Sequence, residues 1–164
     1  MLFGCGNSAD KRAAEVDKKL EGKKLETTAA QAPNDLPNMT IWFLDGSQTN
    51  AKKLEGKTIL IFYFPDCDHC QREATQIQKN IDRFKDHTLY FITVAPKPEA
   101  EKFAKDYKLN DVQNVKFGFV TANDVITNLG NIDTPALYIY SQEHKLVKEF
   151  IGENDINLIL KYVI

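Results

Sequence analysis

Cys67 and Cys70 stand three residues apart in the run Phe64-Pro65-Asp66-Cys67-Asp68-His69-Cys70-Gln71. Thiols at that spacing can cycle between dithiol and disulfide, supply half of a zinc site, or present one sulfur to a peroxide. They can also be buried side chains with no chemistry. A structural zinc site needs two more ligands with a spacing of their own, and the sequence holds no second Cys-x-x-Cys or His-x-x-x-His pair. The surroundings favour the redox couple. Thr58 to Phe64 is an unbroken apolar run of β-branched and aromatic types, which predicts a strand buried on both faces. From Cys67 to Phe84, Cys70, Ala74, Ile77, Ile81 and Phe84 fall on one helical stripe. The two thiols therefore sit where a buried strand hands over to the first turn of a helix, whose unpaired N–H groups and dipole favour a thiolate.

Glu73 is three positions after Cys70 and four before Ile77, so it shares the apolar stripe. Two readings follow: a partly buried carboxylate that exchanges a proton with Cys70, or an exposed one paired with a neighbouring base. Asp66 and Asp68 put two carboxylates beside Cys67 and disfavour its thiolate, whereas His69 favours it when protonated or hydrogen-bonded to the sulfur. His87 and His144 read as exposed residues at a helix–strand junction and in a polar turn.

The elements that must position these groups follow from periodicity. Met39 to Leu44 predicts a strand closed by Asp45-Gly46, and Thr88 to Val94 a second buried strand. Pro96 and Pro98 open a helix through Tyr107, and Val115 to Val120 is a further strand candidate. Asp124 to Leu129 is a short helix ended by Gly130, while Ala136 to Tyr140 and Leu146 to Ile151 pair across a polar turn. Asp155 caps a last helix. This order implies an α/β fold with a central mixed sheet covered by helices.

The chain resembles the thioredoxin superfamily, and within it the membrane-anchored thiol-disulfide oxidoreductases of the TlpA/ResA kind. Three features carry the likeness: the strand followed by Cys67-x-x-Cys70, Asp133-Thr134-Pro135-Ala136 ahead of a strand, and Leu44-Asp45-Gly46 with Leu54-Glu55-Gly56-Lys57 before the central strand. The resemblance covers Met39 to Ile164 and implies a thioredoxin-like three-layer fold with an N-terminal β-hairpin extension. It implies Cys67 as nucleophile, Cys70 as resolving thiol, a cis bond at Pro135, and a substrate strand lying on Thr134 and Pro135. Glu73 matches the glutamate of that family's Cys-x-x-Cys-x-x-Glu. The implied partners are protein thiols and disulfides and a redox partner protein, acting with no metal or organic cofactor. The aromatic residue that precedes the first cysteine in many relatives is Asp66 here, and a His before the second cysteine is similar to the oxidising and isomerising branches. A peroxiredoxin shares the fold, but Phe64 and Ile59-Leu60 occupy the region where its pattern places Thr and Pro. A Cu(I) metallochaperone is the other rival, since thiolates select that soft ion.

At 164 residues with 43% hydrophobic content the chain suits one well-packed domain. Its net charge of −2, without a basic stripe, argues against nucleic acid as partner, and we expect a monomer. Residues 1–38 read as a tether: six basic and six acidic residues cancel between Asp10 and Asp35, and a Pro-containing linker runs from Thr27 to Pro37. Leu2-Phe3-Gly4-Cys5 resembles the lipidation box of bacterial lipoproteins, which would place the domain on the periplasmic face of the cell envelope. Only Met1 to Gly4 precede Cys5, too few for an export signal, so the expectation is a truncated start.

Overall fold

The computed structural model describes residues 34–163. Cys5 and the tether before residue 34 lie outside them. The chain runs β1 (Thr40–Phe43), β2 (Gln48–Asn50), β3 (Thr58–Phe62), α1 (Asp68–Lys79), β4 (Thr88–Thr93) and α2 (Lys97–Asp106). Then follow β5 (Val115–Phe119), α3 (Ala122–Leu129), β6 (Ala136–Tyr140), β7 (Leu146–Ile151) and α4 (Ile156–Leu160). The strands form one seven-stranded sheet in the order β2-β1-β5-β4-β3-β6-β7. β3, β4 and β5 are mutually parallel, while β6 pairs antiparallel with β3, β7 with β6, and β1 with both β5 and β2.

β3 shows why the sheet is covered on both sides. All five of its residues are buried, and alternate side chains enter different cores. Ile59 and Ile61 join Cys70, Ala74 and Ile77 of α1, Phe103 of α2, and Ile156 and Ile159 of α4. Leu60 and Phe62 join Ile41, Tyr90 and Tyr138, against which Val125 and Leu129 of α3 pack. Three helices thus cover one face and α3 the other, the three-layer arrangement expected. Burying one such aliphatic side chain contributes about 1.5–3 kcal/mol. The β1–β2 hairpin is present, closed by the Asp45 carboxylate accepting from the Ser47 N–H at 2.8 Å.

Three local outcomes differ from the sequence expectations. The helix of the cysteines stops at Lys79 instead of running to Phe84. Asn80 caps it, its side-chain amide donating to the Gln76 carbonyl, and a 3-10 turn over Ile81–Phe84 still delivers Phe84 to the core. The segment 34–38, expected to be tether, packs on the domain: Leu36 is fully buried, the Asp35 N–H donates to the His144 carbonyl, and the Leu146 N–H donates to the Asp35 carboxylate. His87, expected to be exposed, is buried, and burial holds its pKa below the usual imidazole value.

Gly118 in β5 is required by space. A Cβ there would stand 2.7 Å from Ile41 Cγ2 and 3.0 Å from the Trp42 carbonyl oxygen. Gly118→Ala is therefore expected to destabilise the domain by about 1–3 kcal/mol, as overpacking does, read as a lower urea midpoint at unchanged slope.

Candidate functional site

Five residues of β3 pair in register with β4 on one side and β6 on the other, so its C-terminal end is held on both edges. The chain leaves it at Tyr63, whose N–H still donates to the Ile92 carbonyl at 3.0 Å, and turns through Phe64, Pro65 and Asp66. The Cys67 N–H closes that turn on the Phe64 carbonyl at 3.2 Å. Cys67 then caps α1: its Sγ accepts from the Cys70 N–H at 3.4 Å. The two sulfurs are therefore adjacent but unequal. Cys67 is half-buried, while Cys70 is only 2% exposed and faces the core. Burial first, then its hydrogen bond and proximity to Cys67, push the Cys70 thiol up to about 12, so it stays protonated at neutral pH.

The loop before β6 closes the site from above. The Thr134–Pro135 peptide is cis, and the Thr134 carbonyl lies 3.9 Å from Cys67 Sγ as its acceptor. The Pro135 carbonyl in turn accepts from the Gly152 N–H at 2.8 Å, which ties the loop to the end of β7.

Glu73 is buried at 2% exposure, and neither carboxylate oxygen has a hydrogen-bond partner. Of the two sequence readings, the geometry matches the buried one. Loss of solvent raises its pKa to about 7; the charge of Glu153 adds to that, and the nearby Asn154 N–H, outside hydrogen-bond geometry, opposes it.

His69 does not turn to Cys67. Its Nδ1 lies 2.7 Å from a Glu153 carboxylate oxygen, and Arg72 grips the same carboxylate through Nε at 2.9 Å and a terminal nitrogen at 2.7 Å. These two partners, Arg72 first, hold the Glu153 pKa down at about 2. Asp66 and Asp68 are both exposed. Sequence reasoning missed Arg72 and Glu153, because their partnership spans 81 positions and no local spacing announces it. It also missed Tyr63, whose buried hydroxyl lacks a partner and whose proton burial holds more tightly than usual.

Beside Cys67 opens an apolar cleft of about 170 Å³ lined by Phe62, Phe64, Val94, Val125, Ile126 and Thr134. Phe64, Val94 and Ile126 are exposed there to 42%, 38% and 58%, a concentration of apolar surface next to the one accessible thiol of the pair. Among the described residues no group of three or more His, Cys, Asp or Glu is arranged to hold a metal ion. No helix among them is long and apolar enough to cross a membrane.

Comparison with solved structures gives the fold a name. A secreted Mycobacterium tuberculosis disulfide oxidoreductase homologous to E. coli DsbE aligns over 77% of this chain and 94% of its own, at 17% identity and a TM-score of 0.63. StoA from Bacillus subtilis aligns over 75% and 93%, at 18% identity and a TM-score of 0.59. Arabidopsis thaliana ScoI with copper bound aligns over 78% and 97%, at 18% identity and a TM-score of 0.61. Likeness at these identities is likeness of fold, and that fold is thioredoxin-like. Among curated proteins no relative matches the chain. A model of the AhpC/TSA family matches residues 32–149, which hold the sheet through most of β7, the cysteine pair and the Pro135 loop, so the chain belongs to the AhpC/TSA family.

Proposed function

We propose that this protein is a thiol-disulfide oxidoreductase that reduces protein disulfides through Cys67 and Cys70. The observation that carries the reading is the graded column Cys67, Cys70, Glu73: an accessible sulfur capping a helix, a buried protonated thiol beneath it, and a buried carboxyl able to change protonation near neutral pH on the same helix face. In the first step the Cys67 thiolate attacks one sulfur of a substrate disulfide. The substrate S–S bond breaks, the departing sulfur takes a proton, and a mixed disulfide remains. In the second step Cys70 gives its proton to the Glu73 carboxylate and attacks the Cys67 sulfur. The mixed disulfide breaks, the second substrate sulfur leaves as a thiolate that takes a proton from solvent, and two electrons have passed from the pair to the substrate. A partner protein reduces the Cys67–Cys70 disulfide again. The roles of Thr134 and Pro135 are to present backbone to the substrate strand beside Cys67, while the cleft under Phe64 receives an apolar side chain of it.

The test is the equilibrium potential of the Cys67–Cys70 pair together with turnover of a protein disulfide such as insulin. A potential near about −270 mV with turnover supports a reductant, and one near about −120 mV makes it an oxidant. A second reading within the matched family is a peroxiredoxin-like peroxidase, although Phe64 and Ile59-Leu60 occupy the region where the peroxiredoxin pattern has Thr and Pro. Consumption of hydrogen peroxide faster than disulfide turnover would establish it. Stoichiometric retention of Cu(I) in titration would replace both with a metallochaperone, as the copper-bound neighbour suggests.

The secreted neighbour supports a site of action outside the cytoplasm, at the bacterial cell envelope. Lipidation at Cys5 rests on the sequence pattern alone. Mass spectrometry of the host membrane fraction is expected to find Cys5 acylated, and an unmodified Cys5 would remove the anchor.

A further inference from the structure

The turn Gly152–Asn154 touches three parts of the site at once. Gly152, at φ +77°, reverses the chain after β7 and donates to the Pro135 carbonyl at 2.8 Å. Glu153 reaches α1 and is held there by Arg72 and His69. Asn154 follows, its side chain bonded back to the Gly152 carbonyl at 2.8 Å and its backbone N–H turned towards the Glu73 carboxylate. The fixed geometry of this turn comes from its ends: the Pro135 contact on one side and the capped start of α4 on the other, where the Asp155 carboxylate accepts from the Asn157 N–H at 2.8 Å. Between them, the Glu153 contact with Arg72 and His69 is the ion-paired link that draws the turn onto α1.

Glu73 has no hydrogen-bond partner of its own, so nothing intrinsic to its carboxyl excludes water. What covers it must do so. The helix face around it packs through Cys70, Ala74 and Ile77 into the core that includes Ile156 and Ile159 of α4, and the turn carrying Glu153 leads directly into that helix. The charged group acting on Glu73 from this side is Glu153 itself, with the Asn154 N–H as the opposing dipole.

We propose that Glu153 is a positioning residue: clasped by Arg72 and His69, it holds the Gly152–Asn154 turn against α1 and so keeps the Glu73 carboxyl dry for its exchange of protons with Cys70. The last clause rests on the function proposed above; the clasp itself does not.

The test is a titration of the Glu73 carboxyl carbon by NMR in the full chain labelled with carbon-13 glutamate, in the disulfide form, the signal assigned by its loss in Glu73→Gln. Replacing both clasp partners, His69→Gln with Arg72→Gln, leaves the Glu153 charge in place. A charge effect alone would then leave the Glu73 midpoint unmoved or raise it, whereas a loosened turn admits water and lowers it by about one unit or more. Glu153→Gln, which also removes the like charge, must lower it at least as far. A midpoint that stays within ~0.3 units of the parent, or rises, in the double variant overturns the proposal. A fall in the double variant that Glu153→Gln does not reproduce overturns it equally. No thiol exchange enters this measurement, so its failure leaves the oxidoreductase reading intact, and failure of insulin turnover by the parent chain leaves the clasp intact.

Discussion

A Glu73→Gln chain is expected to gain stability over its parent as pH rises from 4 to 8, by roughly 3 kcal/mol across that range. The folded-state pKa of Glu73 is raised from 4.5 to about 7 by burial. A carboxyl whose pKa is higher folded than unfolded binds its proton more tightly in the native state, so the native state is favoured while the proton is on. Below the unfolded value both states are protonated and the difference is absent. Between that value and about 7 the parent loses stability steadily, because ionising the unfolded chain is easier than ionising a buried group. Above about 7 the loss is complete. The glutamine side chain of the variant does not titrate, so urea unfolding of the two chains at pH 4, 6 and 8 should show the gap open only on the upper side. A gap independent of pH would mean that the Glu73 carboxyl is solvated and ionises normally. The same variant is expected to slow resolution of the mixed disulfide by about 10²–10⁴-fold near pH 7, the usual contribution of a positioned proton acceptor.

Cys70→Ser is expected to halt exchange after its first step, and Cys67→Ser before it. The asymmetry follows from access: Cys67 caps α1 at the surface while Cys70 is buried beneath it with its proton held up to about 12. In the Cys70→Ser chain the Cys67 thiolate still attacks and no Cys70 thiol displaces the substrate, so a covalent adduct to a protein disulfide substrate accumulates and is visible on non-reducing gels. In the Cys67→Ser chain no adduct forms and turnover falls to the uncatalysed background. Equal adduct in both variants would mean that Cys70 is reached directly, against the burial seen here.

Most of the site's frame was legible because it is written in local periods. The apolar run ending at Phe64 and the helical stripe from Cys70 to Ile77 announced β3, α1 and their junction, and Glu73 stood out by lying on the stripe. What escaped was set by distance or by packing. Leu36 sits among prolines and polar residues whose composition reads as linker, yet burial of Leu36 and Pro37, together with hydrogen bonds of Asn34, Asp35 and Asn38 to distant parts of the chain, fastens the segment to the domain. His87 follows a 3-10 turn, not a continuous helix, and that tighter path carries it inward. His69 looked like a partner for Cys67 because they are neighbours in sequence; Glu153, far along the chain, wins it through a carboxylate already fixed by Arg72.

β3 is an interior strand of the sheet, hydrogen-bonded along both edges and buried on both faces. Its amide protons can exchange with solvent only when the domain opens as a whole, whereas exposed loops exchange through small fluctuations. The strand that aims the two cysteines therefore belongs to the slowest-exchanging tier of the molecule. Heating or mild denaturant should leave the thiol pair in register until the final cooperative transition, and amides from Ile59 to Phe62 should be among the last to take up deuterium.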